Sequence, residues 1–191
     1  INFVNQVADR IKEKYPEVLV HTFAYHFTEE PPKHIKPRDN VVVQFCVHLP
    51  KGYRLDDGVP LSEVEKNKID IWSTRAKNLF AWTYLIEHSD YFMPIGNIEN
   101  LYYNTRYLVS RGVKGIFQQE NSDFNNINFS ELRAYLVCKL FDEPHMSFDD
   151  YLGYVQKFCR GYYGDIGGHI LAYINLLDQK YRFVNTNPFT H

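Results

Sequence analysis

Segments rich in β-forming residues alternate with segments of helical periodicity along this chain, and this alternation limits the fold more than any other feature. The clearest strand is VVVQFCVH at 41–48, and further strands are predicted at 18–27, 78–86 and 112–120. Apolar residues recur at helical spacing in 2–14, 61–77 and 97–111. Strands that are separated by helices form parallel β/α units. We therefore expect an α/β fold with a parallel sheet of about four strands.

The last third of the chain is predicted to be helical. The segments SELRAYLVCKLF, SFDDYLGYVQKFCRGYY and IGGHILAYINLLDQKYR carry helical patterns, and the glycines of 164–169 indicate a turn between the last two. Ser130 and Ser147 are the expected N-cap residues, because a serine oxygen can accept a hydrogen bond from an unpaired backbone N–H. Gly112 is expected just after the end of the helix at 97–111.

The composition excludes several classes of partner. The net charge is −2 and no long basic or acidic block occurs, so we expect neither nucleic acid nor an anionic membrane surface. The longest apolar runs are too short to span a bilayer. Aromatic residues make up 16% of the chain, with 15 Tyr and 14 Phe. Most will be core, but a surplus of Tyr also suits stacking on flat, hydroxylated ligands.

Metal and cofactor motifs are not found in the sequence. The three cysteines, Cys46, Cys138 and Cys159, match no zinc spacing, and we expect three buried thiols, with one disulfide plus a free thiol as the alternative. The eight histidines form no His-x-His pair and no HExxH motif. No GxSxG, GxGxxG or GxxxxGK[ST] sequence occurs either. We therefore expect no metal and no cofactor. The first residues, INFVNQVADRIKEKYP, read as an amphipathic helix rather than a signal peptide, which predicts an excised domain or a processed chain.

The carboxyl ends of the predicted strands are the place to look for a site, because parallel sheets and barrels bind ligands there. These ends combine carboxylates, histidines and aromatic rings, which suits sugar chemistry, since a glycosidase needs two carboxyl groups across the scissile bond. The alternative is that these residues only solvate loops. The residues concerned are Tyr25, His26 and Glu29; Cys46 and His48; Trp82, Tyr84 and Glu87; and Gln118, Gln119 and Glu120.

The fourth strand, GVKGIFQQE at 112–120, leaves two orientations open. Side chains alternate along a strand, so Ile116, Gln118 and Glu120 share one face, and Phe117 and Gln119 share the other. If the face of Phe117 meets the helices, Gln118 and Glu120 point into the mouth of a barrel and form a site. With the faces reversed, the segment is an ordinary strand end.

Several segments together resemble the DUF4838 family, an uncharacterised family of carbohydrate-degrading bacteria. They are KYPEVLVHTFAYHFTEEPPKHIKPRDNVVVQFC, NLFAWTYLIEHSDYFMPIGNIENL, RGVKGIFQQE, ELRAYLVCKLFD and YYGDIGGHILAYINLL. The family is similar to TIM-barrel glycoside hydrolases of the α-glucuronidase and β-hexosaminidase type. The positions that match its motifs are Tyr25, Pro31, Pro32, Asn40, Trp82, Tyr84, Pro94, Asn97, Gly112, Gly115, Arg133 and Tyr163. The family pattern has an acidic residue between the Trp and the Tyr of the third strand, whereas this chain has Thr83.

The resemblance implies the second half of a TIM-type barrel, because a full barrel needs eight strands and about 250 residues. Residues 1–191 would form a single half-barrel-like (β/α) domain of a larger protein, with a helical C-terminal part at 130–183. Half a barrel exposes two sheet edges. We expect these edges to be closed by a missing N-terminal half-barrel, by a second copy of the chain, or by the terminal helices.

The function that follows from the resemblance is glycoside hydrolysis by carboxylate acid/base chemistry. Glu120 is the expected catalytic residue, and the expected substrate-binding residues are Tyr25, His48, Trp82, Tyr84 and Gln118. A non-catalytic carbohydrate-binding module and a purely structural half-barrel are the alternatives, and Thr83 favours the first of them. The family resemblance implies a periplasmic or secreted location, and the chain is not expected to be active alone.

Overall fold

The computed structural model describes residues 1–49, 53–86, 93–120 and 129–186. The strands are β1 (Val20–Ala24), β2 (Val41–Cys46), β3 (Asn78–Tyr84) and β4 (Gly115–Gln119), and the helices are α1 (Asn2–Lys14), α2 (Pro60–Arg75), α3 (Ile98–Ser110), α4 (Ser130–Asp142), α5 (Phe148–Tyr163) and α6 (Gly167–Thr186). Short 3₁₀ turns occupy His26–Thr28 and Gly164–Ile166. No helix in these ranges combines the length and apolar character needed to cross a bilayer.

The strands form one parallel sheet in the order β1-β2-β3-β4. With helices between the strands and after the last one, the chain has the predicted α/β fold, and an open sheet of this kind is compatible with part of a barrel. Strand β1 ends earlier than predicted, because His26 has a φ of +50°, outside the extended region. Gly112, with a φ of +73°, follows the end of α3 as expected.

The helices cover one face of the sheet. Residues that are paired in a parallel register project to the same side, so Val43 and Leu79 share a face, as do Phe45 and Ala81. These four side chains are buried in one cluster with Ala8 of α1, Ile69 and Trp72 of α2, and Leu108 of α3. The residues between them, including Phe23, Gln44, Phe80 and Trp82, lie on the opposite face, here called the open face.

The ring of Phe80 packs closely against the backbone of β4 in the lower part of the open face. Phe80 and Gly115 are register partners in β3 and β4. A Cβ atom at Gly115 would lie 2.6 Å from Cε2 of Phe80, which is too close for any side chain. The Phe80 ring therefore leans over β4 at a position that only glycine accommodates without a shift.

The C-terminal helices build a second core with α3. Tyr151 of α5, Leu136 of α4 and Ile174 of α6 are buried together with Leu101 of α3. Ser147 caps α5 as predicted and accepts a hydrogen bond from Asp150 N at 3.1 Å. The prediction for α4 was wrong by one residue, since its N-cap is Phe129 in a left-handed conformation (φ +62°) and Ser130 is the first helical residue.

All three cysteines are free thiols, as predicted, but only two of them are buried. Cys46 and Cys159 are buried, whereas Cys138 is exposed on α4. Burial raises the pKa of the Cys159 thiol and of the Cys46 thiol, so both stay protonated at neutral pH.

A buried carboxylate joins the C-terminal helices to the β/α layer. Asp178 of α6 accepts hydrogen bonds from the first two backbone N–H groups of α3, Ile98 N at 3.1 Å and Glu99 N at 3.2 Å. Asn97, the residue at the N-cap position of α3, makes no capping bond with its side chain. Asp178 therefore satisfies N–H groups that a local cap normally satisfies, and its negative charge lies at the positive end of the helix.

We expect Asp178→Ala to lower the free energy of unfolding by roughly 1–2 kcal/mol, because two N–H groups lose their acceptor. Asp178→Asn keeps one side-chain oxygen and should lose less. Urea unfolding of the three proteins measures the difference. Unchanged stability of the alanine variant would show that the contact does not hold α6 to α3.

Candidate functional site

The carboxyl ends of the strands form an open groove on the open face. Its volume is about 490 Å³, which lies within the range of roughly 300–1,000 Å³ typical of small-molecule sites. All four strands or the turns that follow them contribute to it. The lining residues are Phe23, Tyr25, Cys46, Trp82, Tyr84 and Gln119.

Trp82 lies at the centre of an aromatic strip. Its ring centroid is 4.3 Å from that of Phe117 and 5.8 Å from that of Phe23. The indole Nε1 donates a hydrogen bond to Gln119 Oε1 at 2.9 Å. Phe23 and Phe117 are each 48% exposed, so the strip presents apolar ring surface to solvent. A fixed indole between exposed rings offers a flat apolar platform.

Hydroxyl groups lie at one side of this platform. Tyr84 lies close to Tyr25 and to Cys46, which line the same groove. Burial, followed by the proximity of Cys46 and Tyr25, raises the pKa of Tyr84 to about 12. The hydroxyl therefore stays neutral across the physiological range, and it can both donate and accept a hydrogen bond.

His48 and His26 extend the aromatic surface beyond Tyr25. The His48 ring stacks on Tyr25 with centroids 5.2 Å apart and lies 5.9 Å from the ring of Tyr84. The left-handed conformation of His26 brings its ring within 3.9 Å of Tyr25. These rings form the rim of the groove next to β1 and β2.

A buried ionic network supports this rim from the helix side. Glu65 of α2 accepts a hydrogen bond from the backbone N of His48 at 2.8 Å. Lys68 Nζ donates to Glu65 Oε1 at 3.0 Å and to Glu29 Oε1 at 2.7 Å. Glu29, a strand-end carboxylate in the sequence, is thus ion-paired with Lys68 behind the rim.

The fourth strand has the second of the two orientations that the sequence left open. Ile116 packs against the core under the helices, and Gln118 Nε2 donates to Thr105 Oγ1 of α3 at 3.1 Å. Gln118 also lines a small cavity of about 50 Å³ on the helix side, together with Asn97 and Asn104. Its neighbour Gln119 lies on the open face.

Glu120 is tied to the helical layer. Its carboxylate is ion-paired with Nε of Arg133 on α4. Arg133 is fully buried, and its Nη1 and Nη2 groups have no hydrogen-bond partner among the described residues, while the side chain of Glu120 is 22% exposed. A guanidinium out of water depends on its anionic partner, so this pair holds the end of β4 to α4.

The structure brings together four of the residues predicted from the sequence, Tyr25, His48, Trp82 and Tyr84. Gln118 and Glu120 are directed to the helix side instead, and their predicted roles stay predictions. Glu87 lies outside the described residues. Among the residues that are described, no three His, Cys, Asp or Glu side chains are arranged to hold a metal ion.

Phe23 and Phe117 were not among the residues predicted from the sequence, whereas Cys46 and Gln119 were named as strand-end candidates but not as catalytic or substrate-binding residues. The alternation of side chains could have found them, because Phe23 shares a face with Tyr25, and Phe117 and Gln119 share one with each other. What the sequence did not reveal was which face the helices cover.

Fold and groove together define an α/β protein with a parallel sheet and an exposed aromatic groove at its strand ends. The chain belongs to the family described as Domain of unknown function (DUF4838), whose model matches residues 1–175. No curated protein and no solved structure matches the chain. The match of the family model confirms the predicted membership of this family.

We expect Glu120→Gln to lower the free energy of unfolding by roughly 3 kcal/mol, because it leaves the buried guanidinium of Arg133 without a counter-charge. The matched control is Asp9→Asn, which removes the carboxylate from an exposed pair with Arg38. Exposed pairs contribute little, so the control should unfold almost like the wild type. Equal unfolding curves for the two variants would contradict the role of the buried pair.

Proposed function

We propose that this chain binds carbohydrate in the groove at the strand ends of the open face. The observation that carries the proposal is the orientation of Trp82, which Gln119 holds next to the half-exposed ring of Phe117 and beside the Tyr84 hydroxyl. Sugar rings have apolar C–H faces and polar hydroxyl edges. An aromatic platform with a few hydrogen-bonding groups beside it is complementary to both.

The exposure of these rings supports binding over simple packing. Phe23 and Phe117 are about half exposed, and they adjoin Trp82 and Tyr25 in one continuous surface. Contiguous exposed apolar surface on a soluble protein usually marks an interaction site. Neutral polar groups within the same groove favour a hydroxylated ligand rather than a purely apolar one.

We expect Trp82→Ala to weaken oligosaccharide binding at least about tenfold, because central aromatic anchors dominate such sites. Titration calorimetry with cellohexaose, xylohexaose and chitohexaose measures the change. The control is Tyr162→Ala, which removes an exposed ring of α5 on another part of the molecule. Wild-type affinity of the Trp82 variant would contradict the proposed platform, as would failure of all three sugars to bind the wild type.

Glycoside hydrolysis is the second candidate function, and the remaining exposure of the Glu120 carboxylate supports it although the side chain is directed to the helix side. Glu120 follows directly after Gln119 at the end of β4, and its carboxylate keeps some exposure in spite of its pair with Arg133. A two-carboxylate mechanism needs a second acid about 5–10 Å away. In this proposal Glu120 supplies one of the two groups, and the longer protein supplies the other.

Turnover on a panel of glycosides tests this second candidate with the full-length protein. We expect Glu120→Gln to abolish product release while oligosaccharide binding is retained, because the amide cannot transfer a proton as a carboxyl group does. The assay must be run well below the unfolding temperature of the variant, since the loss of the Arg133 pair lowers stability. Equal turnover of variant and wild type would remove Glu120 from the mechanism.

The open sheet favours completion by further strands. Strands β1 and β4 each pair on one side only within the described sheet, so each has an outer edge without a described strand partner. We propose that the remaining half of a barrel, from a longer protein or from a second copy of the chain, pairs with these edges. The groove would then open at the mouth of the closed barrel, where barrel enzymes bind their ligands.

A further inference from the structure

The amide orientation of Gln119 is fixed by its contact with Trp82. An indole N–H can only donate a hydrogen bond, so the atom that receives it at 2.9 Å must be the amide oxygen. The backbone also holds this residue, because Gln119 O accepts a hydrogen bond from Leu85 N at 2.9 Å. Because the amide oxygen accepts the indole hydrogen bond, the amide nitrogen is directed away from the indole N–H.

That nitrogen is available to a ligand. Gln119 is partly exposed and lines the groove. In the described part of the chain, no acceptor engages Nε2, whereas the corresponding nitrogen of Gln118 is bonded to Thr105 on the other side of the sheet. Two adjacent glutamines thus have opposite roles, because alternation directs one into the helical layer and one into the groove.

We infer that Gln119 determines the specificity of the groove by donating from Nε2 to an acceptor oxygen of a ligand that lies on Trp82. This inference rests on the proposed carbohydrate site. The ligand class is a ring compound with one apolar face and an acceptor oxygen at its edge, such as a ring, hydroxyl or acetamido oxygen. The amide oxygen of Gln119 therefore orients Trp82, and the amide nitrogen binds the ligand.

Nuclear magnetic resonance separates these two roles. The chain has two tryptophans, so its indole N–H region is simple, and Trp82→Phe identifies the Trp82 signal. Gln119→Leu identifies the side-chain amide signals of Gln119. Titration of the wild type with cellohexaose, xylohexaose and chitohexaose should shift the Gln119 amide signals, because a new hydrogen bond changes their environment.

Binding constants provide the second measurement. We expect Gln119→Leu to weaken binding about tenfold or more, since both the donor and the anchor of Trp82 are lost. Gln119→Glu keeps an acceptor for the indole, so it should retain the Trp82 signal of the wild type while it loses the donor. Gln156→Leu makes the same substitution at an exposed position of α5 and should bind like the wild type.

The possible results are distinct. Amide signals of Gln119 that do not move in a wild type that binds sugar would overturn the inference and leave the carbohydrate site intact. Loss of binding with Gln118→Leu but not with Gln119→Leu would also overturn it, in favour of the residue predicted from the sequence. A wild type that binds none of the three sugars would overturn the inference and the proposed function together.

Discussion

The packing of helices on one face of a parallel sheet is the constraint on which the rest of this structure depends. Because every strand runs in the same direction, register partners project to the same side and form continuous rows across the sheet. One row, such as Phe45 and Ala81, is buried under α1, α2 and α3. The neighbouring row, Cys46, Trp82 and Phe117, lies on the open face and contributes Trp82 and Phe117 to the aromatic strip.

Charged side chains at the strand ends are also found on the helix-covered side of the sheet. The strand-end carboxylates that the structure describes, Glu29 and Glu120, are paired with Lys68 and Arg133 of the helical layer. Burying an ionised group is costly unless a partner compensates it, and helices offer long cationic side chains that can reach the strand ends. The groove lining that is described consists instead of aromatic rings, hydroxyl groups, a thiol and an amide. This division suits recognition of a neutral, hydroxylated surface.

Local patterns were sufficient to predict the element order and the membership of each strand face, because both depend on periodicity along the chain. The side of the sheet that the helices cover was not predictable in β4, since Ile116 and Phe117 are both apolar and fit either environment. The pairs of Glu120 with Arg133 and of Asp178 with the start of α3 were missed because partners distant in sequence leave no local signal. Phe129 is the N-cap residue in place of Ser130, and its ring packs against the second core and Tyr173, a tertiary contact that a local capping pattern does not show.

The packing of the open face below the groove depends on a position that has no side chain. Phe80 lies in the row below Trp82, and its ring can approach the backbone of β4 closely because Gly115 has no Cβ atom. A methyl group at that position would collide with the ring and force the ring or the strand to shift. A residue without a side chain therefore fixes how closely two neighbouring strands and their side chains pack on the open face.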